Sequence, residues 1–285
     1  MPDRNLDYSA SHFLTFGDPQ GLVYETRLDP AGARDYLAAM GMDNGALTQA
    51  RRLRHQHGRF VIAPDENDPR CDFCGHVLSG VEYEKLRDGR DRCVSCSRTV
   101  VKGQQAVEAL FFQVKAGLTE KFGINLPTVP TVKVVSQDKL SRALGEKFVP
   151  TKNFDPRAVG VATNRRGQFG IMLENGAPRL NLIATSAHEL THIWQYSTWN
   201  WEKMEALYGD SFLAVCEGMA KWVELQYLFL ANEAARADEM LLEEAAREDV
   251  YGYGLRLYLN RYPMSRGVCL ESDTPFDHPE EPLDL

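Results

Sequence analysis

The sequence predicts an α+β metal-binding domain preceded by a small cysteine-rich module that folds around a metal of its own. Three observations carry that expectation. An H-E-x-x-H motif, His188-Glu189-Leu190-Thr191-His192, lies inside a helix-patterned apolar segment; strand-patterned runs lead into it; and two C-x-x-C pairs stand upstream. With 285 residues, 44% hydrophobic and 25% charged, the chain has room for one large domain and an appendage.

Residues 1–69 form an N-terminal segment of unknown role. Phe13 to Phe16 and Leu22 to Leu28 pattern as paired strands around Gly17-Asp18-Pro19-Gln20-Gly21, and Ala31 to Met40 and Ala46 to His57 pattern as helices. Arg51, Arg52, Arg54, His55, His57 and Arg59 form a basic cluster, expected as a solvated helix face. Pro64 to Pro69 reads as a linker. The N-terminus lacks the apolar core of a secretory signal and no run approaches a membrane span, so the expectation is a cytoplasmic protein with no membrane partner. The net charge of -8 falls to -2 once the six acids of Glu271 to Leu285 are set aside, so nothing in the composition argues for nucleic acid.

Residues 70–100 hold Cys71-x-x-Cys74 and Cys93-x-x-Cys96, separated by 18 residues that include Gly75, Gly80 and Gly89. Two knuckles at this spacing predict a tetrahedral zinc site of four thiolates, which leaves no open position and is therefore structural. A segment so poor in large apolar side chains cannot bury a core of its own, so the ion would supply much of its folding free energy. Cys216 and Cys269 are left over and read as small buried hydrophobes.

Residues 101–266 form the metal-binding domain. Gly103 to Phe122 patterns as a helix with Val107, Leu110, Phe111, Val114 and Leu118 buried; Thr131 to Ser136, Ala158 to Thr163 and Gln168 to Leu173 pattern as strands, the last two joined as a hairpin. Phe169 to Leu173 is the candidate edge strand for holding a substrate backbone. Ile183, Ala187, Leu190 and Trp194 mark the buried stripe of the motif helix, with Pro178 at its start. Residues four apart share a helix face, so His188 and His192 converge on one ion, while Glu189 is placed to take a proton from water rather than to ligate.

A third ligand is expected from the helix spanning Ser211 to Leu230, whose face of Val215, Met219, Trp222, Gln226 and Phe229 packs inward. Glu217 is the first choice, ahead of Glu202, Glu205, Asp210 and Glu224, because Gly218 beside it lets two helix backbones approach closely. Residues 267–285 read as an acidic, solubilising tail, whose Cys269, His278 or acids offer a second reading as latency ligands.

Arg70-Cys71-x-x-Cys74, Asp88-Gly89-Arg90-x-x-Cys93-x-x-Cys96, Gly176-Ala177-Pro178-Arg179-Leu180, Ala187-His188-Glu189-Leu190-x-His192-x-Trp194 and Glu217-Gly218 occur in the order of the plant LIM-linked, ubiquitin-activated metallopeptidases, the DA-one family, which the chain resembles over about residues 70–262. The resemblance implies a gluzincin-like fold in which His188, His192 and Glu217 hold a catalytic zinc and Glu189 is the acid/base. It also implies a LIM-like module for Cys71, Cys74, Cys93 and Cys96, and ubiquitin or a ubiquitin-like modifier as a partner. The ubiquitin-interaction helices and the complete two-zinc LIM domain of that family are not recognisable in the chain. Tyr251-Gly252-Tyr253-Gly254-Leu255-Arg256 approximates a family motif and nominates Tyr251 as donor to a developing oxyanion, with Tyr253, Arg256 and His278 in reserve. The expected activity is hydrolysis of internal peptide bonds in protein substrates, using two zinc ions. The alternatives are a zinc aminopeptidase of the same class and a non-catalytic zinc-knuckle interaction module.

Overall fold

The computed structural model describes the backbone strands within 12–62 and residues 69–76, 78, 81–126, 129–145, 159–165, 168–245, 247–267, 269–278, 281 and 283. The chain divides into two compact units, Met1–Asp68 and Pro69–Leu285.

In the first unit β1 (His12–Gly17) pairs antiparallel with β2 (Val23–Leu28), and β3 (Leu53–Gln56) with β4 (Arg59–Ile62). The expected helix over Ala46 to His57 is thus corrected: its C-terminal part is a strand, and Arg54, His55 and Arg59 lie on a hairpin rather than a helix face. The helix expected over Ala31 to Met40 and the linker at 64–68 lie outside the described residues.

The second unit begins with the cysteine module. β5 (Tyr83–Lys85) pairs antiparallel with β6 (Asp91–Cys93), which runs into a short helix, α1 (Val94–Arg98). Gly75, at φ 69, turns the chain after Cys74 and donates its N–H to the Cys71 carbonyl at 2.8 Å, a conformation any Cβ would strain. Two arginines fix the module to the next layer. Arg90, stacked 4.6 Å over the Phe73 ring, donates to both carboxylate oxygens of Glu174, and Arg92 donates to the Gly176 carbonyl at 2.9 Å. Backbone bonds between 99–101 and 176–179 complete the seam, among them Val101 N–H to Ala177 O at 3.1 Å.

Helix α2 (Gln104–Phe122) buries its stripe of Val107, Leu110, Phe111, Val114 and Leu118. A three-stranded sheet follows: β7 (Thr131–Val135), then helix α3 (Gln137–Ala143), then β8 (Gly160–Arg165) and β9 (Gln168–Glu174). Its order is β7-β9-β8, with β7 parallel and β8 antiparallel to β9. The strand nominated as an edge, Phe169 to Leu173, is therefore central and paired on both sides; β8 is the edge nearer the metal-motif helix. A parallel crossover from β7 produced this order, and such pairing leaves no local trace in sequence.

Helix α4 (Arg179–Thr198) packs across β8 and β9 and against α2. It is followed by α5 (Trp201–Tyr208), a 3₁₀ turn at Gly209–Ser211, and α6 (Phe212–Leu230), which packs on α4. Ile183, Ala187, Leu190 and Trp194 of α4 and Val215, Met219, Trp222, Gln226 and Phe229 of α6 are all buried. Helices α7 (Ala234–Ala245) and α8 (Val250–Arg261) close over α6.

Gly218 does mediate a close helix approach, but toward α8 rather than α4. A Cβ at Gly218 would stand 2.3 Å from the carbonyl carbon of Gly254, and one at Gly254 would stand 1.9 Å from the Ala214 carbonyl oxygen. Both obstacles are backbone, so neither can swing aside. Gly254→Ala is expected to destabilise the protein by about 3 kcal/mol, the upper end of over-packing costs; an unchanged urea midpoint would show that the two helices separate freely.

The acidic segment after Arg266 is packed, contrary to the solubilising-tail expectation. Phe276 sits edge-on to Trp194 (4.9 Å) and Phe122 (5.7 Å), His278 stacks on Tyr262, and the Leu283 N–H donates to the Tyr208 hydroxyl at 2.9 Å. Composition hid this because a few aromatic contacts, each worth about 0.5–1.5 kcal/mol, outweigh the acidity of the flanking residues. Among the described residues no helix is long and apolar enough to cross a membrane.

Candidate metal centre

Two groups of side chains converge so that each could hold a metal ion: Cys71, Cys74, Cys93 and Cys96, and separately His188, His192 and Glu217. In the first, Cys74 Sγ and Cys93 Sγ stand 3.7 Å apart. Tetrahedral sulfur ligands at about 2.3 Å from an ion are separated by about 3.8 Å, so the spacing fits. The Cys93 N–H points at Cys71 Sγ and the Cys96 N–H at Cys93 Sγ, each at 3.3 Å. The four thiols share their protons: their mutual contacts hold Cys71 and Cys93 below the usual thiol range and push Cys74 and Cys96 above it, so the cluster is arranged to carry thiolate charge that an ion would neutralise.

The second group is assembled by two antiparallel helices. Gln195 faces Cys216, His192 faces Glu217 and His188 faces Glu224, pairs that climb α4 while descending α6. His188 Nε2 and His192 Nε2 are 3.0 Å apart, and Glu217 Oε2 stands 3.2 Å from the first and 3.4 Å from the second. Glu217 Oε2 is buried and makes no hydrogen bond of acceptable geometry. A buried carboxylate oxygen without a hydrogen bond needs an explanation. An ion would supply it: three ligands at about 2.0–2.1 Å in a tetrahedral arrangement stand about 3.4 Å apart, and two imidazoles with a carboxylate are a donor set that suits a divalent metal. Glu202, Glu205 and Asp210 are exposed on α5 and the 3₁₀ turn, outside the group.

Both imidazoles are held from behind. His188 Nδ1 meets Glu224 Oε2 at 3.2 Å and His192 Nδ1 meets Gln195 Oε1 at 2.8 Å, while Gln195 Nε2 donates to the Cys216 carbonyl at 2.9 Å. Acceptors at both Nδ1 atoms put the protons there and turn the Nε2 lone pairs inward. Glu224, ranked as a ligand alternative from sequence, is thus a support. It is itself held by Lys221 at 3.1 Å, Lys221 by Glu244 at 3.2 Å, and Glu244 by Arg247 at 3.1 Å. Arg247 pairs with Asp249, which caps α8 by accepting from the N–H groups of Tyr251 and Gly252, and stacks 4.9 Å over the Tyr251 ring. Sequence reasoning passed over Lys221, Gln195, Glu244 and Arg247; the i, i+4, i+7 spacing of Glu217, Lys221 and Glu224 was the available signal.

Burial pushes Glu217 up, but His188 and His192 together outweigh it and hold the carboxylate well below its usual range. Burial likewise pushes His188 down, and Glu217 and Glu224 outweigh it, raising the imidazole to about 10. The metal-free protein therefore carries a proton on His188 at neutral pH, and a metal must displace it. Apparent zinc affinity is expected to rise by up to about tenfold per pH unit until it levels off near the raised value; a chelator competition that is flat from pH 6.5 to 8.5 would sink this. The sign for stability is the reverse: a raised folded value stabilises the metal-free fold below about pH 6.5, and that contribution is lost as pH climbs through about 10.

Glu189, also buried, faces the sheet, where Oε2 accepts the Ala162 N–H of β8 at 2.5 Å. The outward N–H of the edge strand is thereby turned to the centre. Tyr251 is half-buried; burial and the Glu217 and Glu189 carboxylates push its phenol up against Lys221 and Arg247. Of the reserves, Arg256 is taken by the carbonyls of Ala245 and Arg247 at 2.7 Å each, Tyr253 packs on the core, and His278 bonds Asp273 and Glu281. Cys216 is buried and Cys269 exposed, and among the described residues neither Cys269 nor His278 joins a metal group, while Glu280 and Asp284, two acids of the latency reading, lie outside the described residues. No protein-family model, curated protein or solved structure matches the chain.

Proposed function

We propose that the chain is a gluzincin-type zinc peptidase that cuts internal bonds of protein substrates, with zinc also in the cysteine module. The observation carrying this reading is the buried Glu217 Oε2, which makes no well-formed hydrogen bond and stands 3.2 and 3.4 Å from two inward Nε2 atoms, with the Glu189 carboxylate one helix position away. His188, His192 and Glu217 would hold the zinc, which would supply a Lewis acid for the scissile carbonyl and a site for the attacking water. Glu189, anchored through Oε2 to Ala162, takes the water's proton on its other oxygen and delivers it to the departing amine nitrogen. Tyr251, kept protonated by burial and nearby carboxylates, donates to the carbonyl oxygen as it gains charge. Glu224 and Gln195, held at the two Nδ1 atoms, keep both imidazoles turned with Nε2 toward the centre. The outer edge of β8 binds the substrate backbone in extended form.

The resemblance to the DA-one family extends the proposal to a LIM-like assignment for residues 70–100 and to ubiquitin or a related modifier as an activating partner. A cytoplasmic setting agrees with reduced thiols in a four-cysteine site.

Elemental analysis alongside digestion of casein tests the reading. Two zinc ions per chain with casein cleavage that a chelator abolishes is the expected result. One ion, lost on mutating the cysteines and unaffected by His188→Ala, would overturn it and leave an interaction module.

A further inference from the structure

The α4 face that carries the ligands does not end at His192. Tyr196 lies one turn further on the same face, and on the antiparallel α6 Leu213 lies one turn before Glu217, so both fall at the same end of the metal centre. Both are open to solvent, Tyr196 by 38% and Leu213 by 55%. Tyr196 is the middle rung of a stacked ladder: Phe169 of β9 lies nearly parallel to it (6.4 Å, 22°), and Trp201 of α5 lies parallel on its other neighbour contact (4.8 Å, 16°). Trp201 is in turn braced edge-on by Phe212, one residue before Leu213. The phenol is close enough to the centre for Glu189 and Glu217 to reinforce the upward push that burial gives it.

The sheet register says what this shelf faces. Phe169 pairs with Asn164 of β8, two residues along the strand from Ala162, whose N–H meets Glu189. Alternate residues of an extended chain point the same way, about 6.8 Å apart. A peptide laid along the β8 edge with its backbone at Glu189 therefore has a side chain over the aromatic shelf at the next position of the same parity.

We propose that Phe169, Tyr196 and Trp201, with Leu213, form a subsite for one bulky apolar side chain, aromatic or leucine-like, of an extended peptide bound along β8. This inference rests on the peptidase reading for its occupant. The chemistry favours it over a protein-protein patch because the middle rung, Tyr196, continues the α4 face that carries His188 and His192, and because flat, partly open rings at 4.8–6.4 Å spacing match the stacking of another ring.

Binding, rather than turnover, tests it. The probe is an acetylated Ser/Gly decapeptide with one central Phe, compared with a twin bearing Ala, each titrated by fluorescence into zinc-loaded Glu189→Gln protein. The Phe peptide is expected to bind about tenfold tighter, and Tyr196→Ala or Phe169→Ala in that background should shrink the preference to about twofold with little change for the Ala peptide. Tyr196→Phe, which keeps the ladder, should retain it. Thermal melts of each variant separate lost folding from lost preference, and two independent rungs keep the test alive if one variant is unstable. Equal binding of the two peptides to the parent, or a preference that survives both substitutions, overturns the subsite. Failure of the peptidase reading shows elsewhere, as one zinc ion and intact casein with wild-type protein.

Discussion

Glu189→Gln is expected to lower kcat on casein by about 10²–10⁴-fold while leaving zinc content and KM nearly unchanged, the loss usual for a positioned general base. Gln matches Glu in size and its carbonyl oxygen can still accept the Ala162 N–H that anchors Glu189 Oε2, so α4 and β8 keep their contact. The ligand atoms, Nε2 of His188 and His192 and Oε2 of Glu217, lie on other side chains and should be untouched. Only proton acceptance is removed. An effect on kcat with KM preserved separates this from a binding role, and cleavage within tenfold of wild type would remove Glu189 from the chemistry. Loss of metal in the variant would instead make Glu189 a ligand, which its contact with Ala162 argues against.

The metal centre was more legible in the sequence than the surface around it, and the reason is periodicity. His188 and His192 belong to one helix, and the stripes of Ile183, Ala187, Leu190 and Trp194 and of Val215, Met219, Trp222, Gln226 and Phe229 oriented two helices before any packing was known. Glu217 and Glu224 were harder to tell apart. Seven residues is nearly two whole turns, so both carboxylates lie on one face and differ only in height; the antiparallel docking of α6 puts Glu217 level with both Nε2 atoms and Glu224 level with His188 Nδ1. Docking is a property of two segments and cannot be read from one. The same limit explains the strands. β9 is central because β7, more than thirty residues upstream, pairs parallel with it, and Leu53 to Gln56 is a strand because β4 pairs with it despite helix-compatible local composition. Gly218 was singled out for a close approach, but its partner, Gly254, lay in a motif selected for its tyrosines.

Cys93→Ser is expected to have the largest effect on stability, and one felt beyond the module that contains it. Among the described residues of 69–100, Phe73 and Leu78 are the only fully buried large apolar side chains besides the cysteines. Such a core cannot offset the entropy of ordering thirty residues. A structural zinc contributes about 10–16 kcal/mol in comparable small modules, as much as the net stability of a whole domain. Cys93 terminates β6, caps α1 by accepting the Cys96 N–H, and stands 3.7 Å from Cys74 Sγ, so replacing its sulfur weakens the ion and the helix together. The loss should then travel through Arg92 of the same strand and Arg90 just before it to Glu174 at the end of β9 and Gly176 in the turn that leads into α4. Hydrogen exchange should accelerate over 70–100 and also over 176–183, with one zinc ion lost, whereas His188→Ala should remove the other ion and leave exchange at 176–183 unchanged. Acceleration confined to 70–100 would mean that the module is merely appended. Acceleration in both places would make the cysteine site a structural footing of the helix that presents His188 and His192.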